Sequence, residues 1–402
     1  MKRKKTAILS RYQNLTTRLA VASFLAAALA GMAAPAQEQA AKRVSIPAPA
    51  AVKTSILVGA HNCPLWETNA PAMWNEVLKH PERTPALGYY DQSNPEVADW
   101  ETKWAVEHGI SFFTYCWYRA SKGDAVETRF SSAIESLLKS RFVRQFKFTI
   151  MWENQGRDLK TWGRSGATGE PDLLQNLMPF WLTNYFTHPS YLKIDGKPLL
   201  FIYDAHKLAK DLGGAQNVPK AFEAMRNACQ RAGLTGLYIL GEYRGQDVKE
   251  IQFRKDLGFD YTFAYIWPIT KPKEAVAMQL DFIHQSREQH ILPGIFTVSQ
   301  GWTGWHNEGP LYRLPPPDFE GLLRQVKAIM ATMPQKELGS KMLLLDNWNE
   351  WSEGHYIAPH REYGFGYLDA VRRVFSNALE KHTDLVPADI GLGPYDSAYK
   401  TP

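Results

Sequence analysis

Two glutamates three residues apart, Glu350 and Glu353, stand in the segment Trp348-Asn349-Glu350-Trp351-Ser352-Glu353, which mixes carboxylates, an amide and indoles. Cleavage of a glycosidic bond calls for such a set. It needs one carboxylic acid to protonate the leaving oxygen, one carboxylate as base or nucleophile, and flat apolar surfaces to orient the rings. An acid buried against Trp348 or Trp351 has its pKa raised and stays protonated, while a neighbour hydrogen-bonded to Asn349 or to water stays ionised. General acid or base help of this kind is worth about 10² to 10⁴ in rate per group. The bland reading is a surface turn with one carboxylate in a structural ion pair.

Further candidates close other apolar runs. Trp117, Trp152, Tyr243, Trp267, Trp302 and Trp351 are sugar-stacking candidates, and Glu153 and Glu242 are candidates for hydrogen bonds to substrate. With 13 Trp, 18 Tyr and 19 Phe in the chain, core packing competes for every one of these rings. Glu153 and Glu242 also make an alternative acid and nucleophile pair. Arg119 and Arg244 either bind an acidic sugar or pair with Glu153 and Glu242.

The elements that must position these groups are legible. Eight runs rich in Val, Ile, Phe, Tyr and Leu read as strands: Ser55 to Cys63, Ser111 to Tyr118, Phe146 to Glu153, Pro198 to Asp204, Leu237 to Tyr243, Tyr261 to Pro268, Gly294 to Trp302, and Met342 to Trp351. Several are apolar at nearly every position, as parallel strands covered on both faces are. Helical spacing lies between them. Phe130, Ile134, Leu137 and Leu138 share a face, as do Phe319, Leu322, Leu323, Val326 and Met330, with Asp318 placed to cap. Gly233 ends the helix that carries Phe222, Met225 and Cys229. Eight strand and helix pairs predict an α/β fold, a single-domain (β/α)8 TIM-type barrel, with a doubly wound open sheet as the competitor. The long loops (64–94, 154–171, 303–317 and 352–365) follow strands, so a site is expected at the carboxyl end of the barrel. Lys193-Ile194-Asp195-Gly196-Lys197 reads as a hairpin on the opposite face.

Composition bounds the rest. Of 402 residues, 45% are hydrophobic and 22% charged, which is globular. Six Lys and Arg fall in the first 36 residues, which hold no acid, so the formal charge of +5 becomes −1 without them and nucleic acid is not an expected partner. Residues 1–36 read as an export signal, with a basic start, an apolar run from Leu19 to Ala34 and cleavage at Ala34-Pro35-Ala36. The expected location is periplasmic or extracellular. No stretch reaches the ~20 apolar residues of a membrane span. Residues 37–54 read as a linker, 55–385 as the barrel and 386–402 as a tail. Cys63, Cys116 and Cys229 are too few for a disulfide scaffold or a four-thiolate zinc site, and Cys63 with Cys116 is either a disulfide or a pair of buried thiols. His61, His306, His355 and His360 show no close metal spacing, and no phosphate loop or dinucleotide fingerprint occurs, so neither a metal nor a cofactor is expected. Gly163-Arg164-Ser165-Gly166 lacks the closing glycine of a nucleophile elbow.

The segment Trp348-Asn349-Glu350-Trp351-Ser352-Glu353-Gly354 resembles the closing motif of glycoside hydrolase family 99 and of the related WbsX-like family. Supporting pieces follow in order: Tyr115-Cys116-Trp117-Tyr118, Met151-Trp152-Glu153-Asn154, Tyr191 to Pro198, and Tyr363-Gly364 to Tyr367-Leu368. The resemblance implies a (β/α)8 barrel that cleaves α-linked, mannose-like glycans with retention and without a metal. It also implies that Glu350 is a base removing the proton of the sugar's own 2-hydroxyl, that Glu353 is the acid, and that Asn349 positions substrate. Ser352 departs from family 99, which carries His there. WbsX-like proteins are often labelled glycosyltransferases, which keeps that activity as an alternative beside a non-catalytic glycan-binding barrel. An oligosaccharide or polysaccharide is the expected partner.

Overall fold

Every one of the eight apolar runs forms a strand, and each is apolar because it is covered on both sides. The computed structural model describes residues 45–67, 72–120, 126–155, 166–245, 247–303, 312–378 and 382–396. The strands are β1 (Leu57–Asn62), β2 (Phe112–Ala120), β3 (Lys147–Trp152), β4 (Lys197–Ile202), β5 (Tyr238–Glu242), β6 (Tyr261–Phe263), β7 (Phe296–Ser299) and β8 (Met342–Asp346). Each pairs in parallel with the next, from β1 to β6 and from β7 through β8 back to β1. The seam between β6 and β7 closes just ahead of β7, where Thr262 bridges Gly294, its amide donating to Pro293 O at 2.9 Å and its carbonyl accepting from Ile295 N at 2.8 Å. The sheet is therefore a closed (β/α)8 barrel and not a doubly wound open sheet.

A helix follows each strand: α1 (Pro95–Glu107), α2 (Ser132–Lys139), α3 (170–186, with α and π turns alternating), α4 (Val218–Arg231), α5 (Val248–Leu257), α6 (Ala275–Glu288), α7 (Pro316–Ala331) and α8 (Gly366–Phe375). The apolar face of α7 is buried as its spacing predicts. Asp318, expected as its cap, lies instead in the first turn. The helix begins at Pro316, whose fixed φ and missing N–H suit that position, and Asp318 contributes through the helix dipole. The Lys193–Lys197 hairpin turns at Asp195 and Gly196, both with positive φ.

Period-two alternation divides the strand residues between two cores. Phe112, Cys116, Met151, Phe201, Tyr203, Leu240, Phe263, Tyr265 and Leu344 pack together inside the barrel. Their neighbours Phe113, Tyr115, Trp117, Ile150, Trp152, Ile202, Ile239 and Leu345 belong to the shell shared with the helices. The barrel floor is tight, since a Cβ on Gly59 would stand 2.2 Å from the Phe112 ring. A segment beginning at His382 lies over α1, where Leu385 O accepts from Trp104 Nε1 at 2.8 Å and Tyr395 Oη accepts from Trp100 Nε1 at 3.1 Å. Among the described residues no helix is long and apolar enough to cross a membrane. The expected leader 1–36, linker residues 37–44, Trp305, His306 and Gly163 to Ser165 lie outside the described residues.

Candidate active site

β8 ends at Asp346, sooner than the apolar run suggested, so Glu350 is not part of the barrel sheet. It sits on a hairpin above it, β9 (Asn349–Glu350) paired with β10 (His355–Tyr356), in which Glu350 faces His355. Gly354 makes the turn possible: its φ is +70°, and a Cβ there would stand 2.5 Å from Thr303 Cγ2. The turn is held from outside by Thr303, whose amide and hydroxyl both donate to Glu353 O at 2.8 and 2.7 Å. Asn349 ties the hairpin to β1. Its Oδ1 accepts from Cys63 N at 2.7 Å and its Nδ2 donates to Cys63 O at 3.1 Å, so the side chain completes the backbone pairing of a strand that has ended. Asn349 is fully buried in this role and holds the motif instead of joining the cup of inward-facing groups around Glu350 and Glu353.

The Glu350 carboxylate hangs among groups from the inward row of the barrel. Tyr265 Oη donates to its Oε2 at 2.9 Å, and Asn347 Nδ2 donates to the same Tyr265 oxygen at 2.8 Å. The Cys63 thiol bonds to Glu350, and Cys116 Sγ lies 3.8 Å from Tyr265 Oη. Beneath them His61 packs on Tyr265 and Phe263, and burial with the His355 charge pushes its pKa down to about 3, so that it is neutral. Glu353 accepts from Trp302 Nε1 at 3.1 Å and lies 3.5 Å from His355 Nε2. The other ring nitrogen of His355, Nδ1, bonds to Asp346 Oδ1 at 2.5 Å.

Electrostatics follow from this order. Burial opposes charge on His355, but Asp346, Glu353 and Glu350 more than offset it and lift its pKa to about 10, which makes it an imidazolium. Burial, and then the Glu353 charge, push the Glu350 carboxyl up to about 7, against the pull of His355 and the bonds from Cys63 and Tyr265. One imidazolium is thus set among Asp346, Glu353 and Glu350. Burial first, and then one cation shared among three carboxylates, make Glu350 titrate near neutrality. Such a group can take or give a proton at physiological pH.

The remaining candidates divide by the alternation of their strands. Glu153 and Glu242 have the parity of the barrel interior; the charge of Glu153 reaches Cys116, Tyr118 and Tyr203, and that of Glu242 reaches Tyr203. Glu242 is ion-paired with Arg244, whose guanidinium also donates to Tyr203 Oη, and Tyr203 meets Tyr265 edge to face at 5.7 Å. Arg119 pairs with Asp172 of α3 and not with Glu153; burial opposes that carboxylate, and the Arg119 bonds pull its pKa down to about 2. Trp302 packs against both cores at the rim.

Trp117, Trp152, Tyr243, Trp267 and Trp351 are not brought to the cup. Trp117 and Trp152 pack on Trp181 of α3, Trp267 stacks on Phe282 of α6, Tyr243 lies under Arg254 of α5, and Trp351 stacks on Tyr356 with its Nε1 donating to Tyr90 Oη. A strand cannot aim consecutive residues at the same side, so Trp152 beside Glu153 and Tyr243 beside Glu242 had to face outward. Sequence reasoning left Tyr265, Cys63, Cys116, Asp346 and His355 out of the site. Alternation along β1, β2, β6 and β8 could have found the first four. Cys63 and Cys116 are free thiols. His355 has no strand signal, since its place comes from a hairpin only two residues wide.

Comparison with known proteins adds three findings. A family model described as "Glycosyltransferase WbsX" matches residues 69–307 and 311–371. Two proteins of Xanthomonas campestris pv. campestris, from strains ATCC 33913 and B100 and both described as "Uncharacterized protein WxcX", are 24% identical over 332 residues, which is 75% of this chain and 45% of theirs. The chain therefore spans about half the length of these curated relatives. Two structures of a GH99 endo-alpha-mannosidase from Bacteroides thetaiotaomicron share its fold. One, in complex with bis-tris-propane, has a TM-score of 0.53 at 17% identity and covers 79% of this chain and 94% of its own. The other has a TM-score of 0.50 at 18% identity and covers 72% and 81%.

Proposed function

The chain belongs to the WbsX family, and from that footing we propose that it is a glycoside hydrolase that cleaves α-linked, mannose-like glycans with retention. The observation that carries this reading is the carboxylate pair: Glu350, buried and lifted to about 7, stands with Glu353 around the single imidazolium of His355. The similarity of the fold to family 99 enzymes supports it.

In this reading substrate binding leaves Glu350 ionised and the proton on Glu353, the reverse of the order around His355 without substrate. Glu350 takes the proton of the sugar 2-hydroxyl, the freed oxygen attacks the anomeric carbon, and the bond to the leaving oxygen breaks as that oxygen receives a proton from Glu353. Water then opens the 1,2-anhydro sugar. Glu353 accepts the proton of the water and Glu350 returns its own to O2, so that both residues end as they began and the anomeric configuration is kept. Burial suits Glu350 to the task, because a carboxylate stripped of water and lifted toward neutrality is a stronger base than one in solvent. Glu153 and the Glu242–Arg244 pair bind hydroxyls on the opposite wall, and Trp302 serves as the stacking surface at the rim. Residues 1–36 read as an export signal, and export would suit a glycan substrate met in the periplasm or outside the cell. The description of the family model favours a second reading, transfer from an activated sugar donor.

A panel of α-linked oligosaccharides and polysaccharides, scored for new reducing ends and followed by anomeric analysis of the product, tests the proposal. New reducing ends with retained configuration are expected. Inversion, or turnover only with a nucleotide-sugar donor, would overturn it.

His355 is the positioning residue of the pair. His355→Gln removes the charge that holds Glu350 down, so the acidic limb of kcat/KM against pH is expected to move to higher pH. The variant also leaves Asp346 buried without its cation, a loss of about 3–5 kcal/mol in stability. A limb that stays in place or moves to lower pH contradicts this role.

A further inference from the structure

In the helix layer outside the barrel sheet, groups from three separate parts of the chain converge on one point. His108 caps the end of α1, Asp369 lies in the first turn of α8, and His382 and Asp384 belong to the segment that crosses α1. His108 Nε2 is 3.1 Å from Asp384 Oδ1 and 3.7 Å from Asp369 Oδ1, and His382 Nε2 is 3.4 Å from the same Asp384 oxygen. The ligand atoms of His108, His382 and Asp384 all lie within 4.8 Å of one another. The two rings stand nearly perpendicular, 5.3 Å between centroids.

His108 Nδ1 is 2.7 Å from Trp104 O and must donate to it, which leaves Nε2 as the atom facing the carboxylates. That Nε2, His382 Nε2 and Asp384 Oδ1 are all buried, yet none makes a hydrogen bond of acceptable geometry. His108 has no solvent exposure to compensate. Protonated imidazoles would meet Asp369, Asp384 and, 3.5 Å from His382 Nε2, Glu107 Oε2 in an ion-pair network, whereas neutral ones turn two lone pairs toward one carboxylate oxygen, the arrangement that a cation would fill.

We propose that His108, His382 and Asp384 bind a zinc-class divalent cation as its three protein ligands. For metal–ligand bonds of about 2.0–2.1 Å, the edge of a tetrahedron is about 3.4 Å. The separations of 3.1 and 3.4 Å to the Asp384 oxygen lie close to that value. The Nδ1 bond of His108 to a backbone carbonyl is the outer-shell contact that fixes the tautomer of a metal-ligating imidazole. Two imidazoles and a carboxylate suit zinc or a neighbouring first-row divalent ion better than magnesium or calcium. The ion joins the end of α1 to the segment that Trp104 already holds at Leu385, a structural clasp separate from the carboxylate pair. The inference is independent of the proposed hydrolysis, and its readout is metal binding.

The test uses the full chain, stripped with a chelator and titrated with zinc chloride by calorimetry. One equivalent is expected, together with a rise of a few degrees in the thermal midpoint. The substituted cobalt(II) form should show the visible absorption of a tetrahedral site. His382→Gln and Asp384→Asn, at partly exposed positions where folding survives, should weaken zinc binding at least about 100-fold and abolish the thermal shift. Failure of the stripped wild type to take up zinc, with the same midpoint before and after stripping, would mean that the cluster is an ion-pair network only and overturn the proposal. Full uptake by both variants would place the ion elsewhere and overturn it equally.

Discussion

Glu350→Gln is expected to lower turnover by at least 10² to 10⁴ and, at the same time, to make the protein more stable at alkaline pH. The two effects share one cause. The carboxyl is held at about 7, against an ordinary value of 4.5, chiefly because burial penalises its charge. Each unit of such a shift is worth about 1.4 kcal/mol, so ionising Glu350 in the folded state costs up to about 3 kcal/mol. The sign follows from linkage. A folded-state pKa above the unfolded one means that folding takes up a proton, so the stability attached to Glu350 is complete below pH 4.5 and is lost as pH rises through 7. Glutamine carries no such penalty. Thermal unfolding at pH 5 and pH 8 should show the variant gaining on the wild type between the two values. A variant equally destabilised at both would mean that Glu350 is a structural group, and near-normal turnover would remove it from the reaction.

Glu353→Gln should separate the two glutamates by role. An acid is needed only when the leaving group is poor, so the variant should lose about 10² to 10⁴ on natural glycans and recover most of that on a glycosyl fluoride, whose departure needs no proton. Glu350→Gln should gain nothing from the fluoride, because attack by the 2-hydroxyl still needs its base. The comparison is made by steady-state kinetics on the two substrates with both variants. Recovery in Glu350→Gln and not in Glu353→Gln would exchange the roles. That outcome is a real alternative on electrostatic grounds, because without substrate Glu350 is the member of the pair that burial lifts.

Much of the architecture was legible because each parallel strand is covered on both faces and so declares itself as an apolar run. All eight were found, and the long loops pointed to the end of the barrel at which Glu350 and Glu353 stand. The glutamate pair was legible too, because its segment is dense in carboxylates and indoles. What failed was direction. Trp117, Trp152, Tyr243, Trp267 and Trp351 share type and neighbourhood with groups that do face the cup, and only alternation along a strand whose phase is known assigns them to the helix shell. Met342 to Trp351 reads as a single run because Trp348 and Trp351 are apolar on both sides of a break, so the separate hairpin and the partnership of Glu350 with His355 were hidden. Contacts such as His108 with His382, which cross most of the chain, leave no local signature at all.

Asn349 binds the hairpin to the backbone at the end of β1, so the carboxylate pair is brought together at the point where the first and last strands of the barrel meet. Ring closure and assembly of the site are then a single event. A partly wound intermediate, or a fragment missing either end of the ring, holds neither carboxylate in register. Competence therefore comes all at once with the last turn of the sheet, and two complementary fragments could regain it only by rejoining that seam.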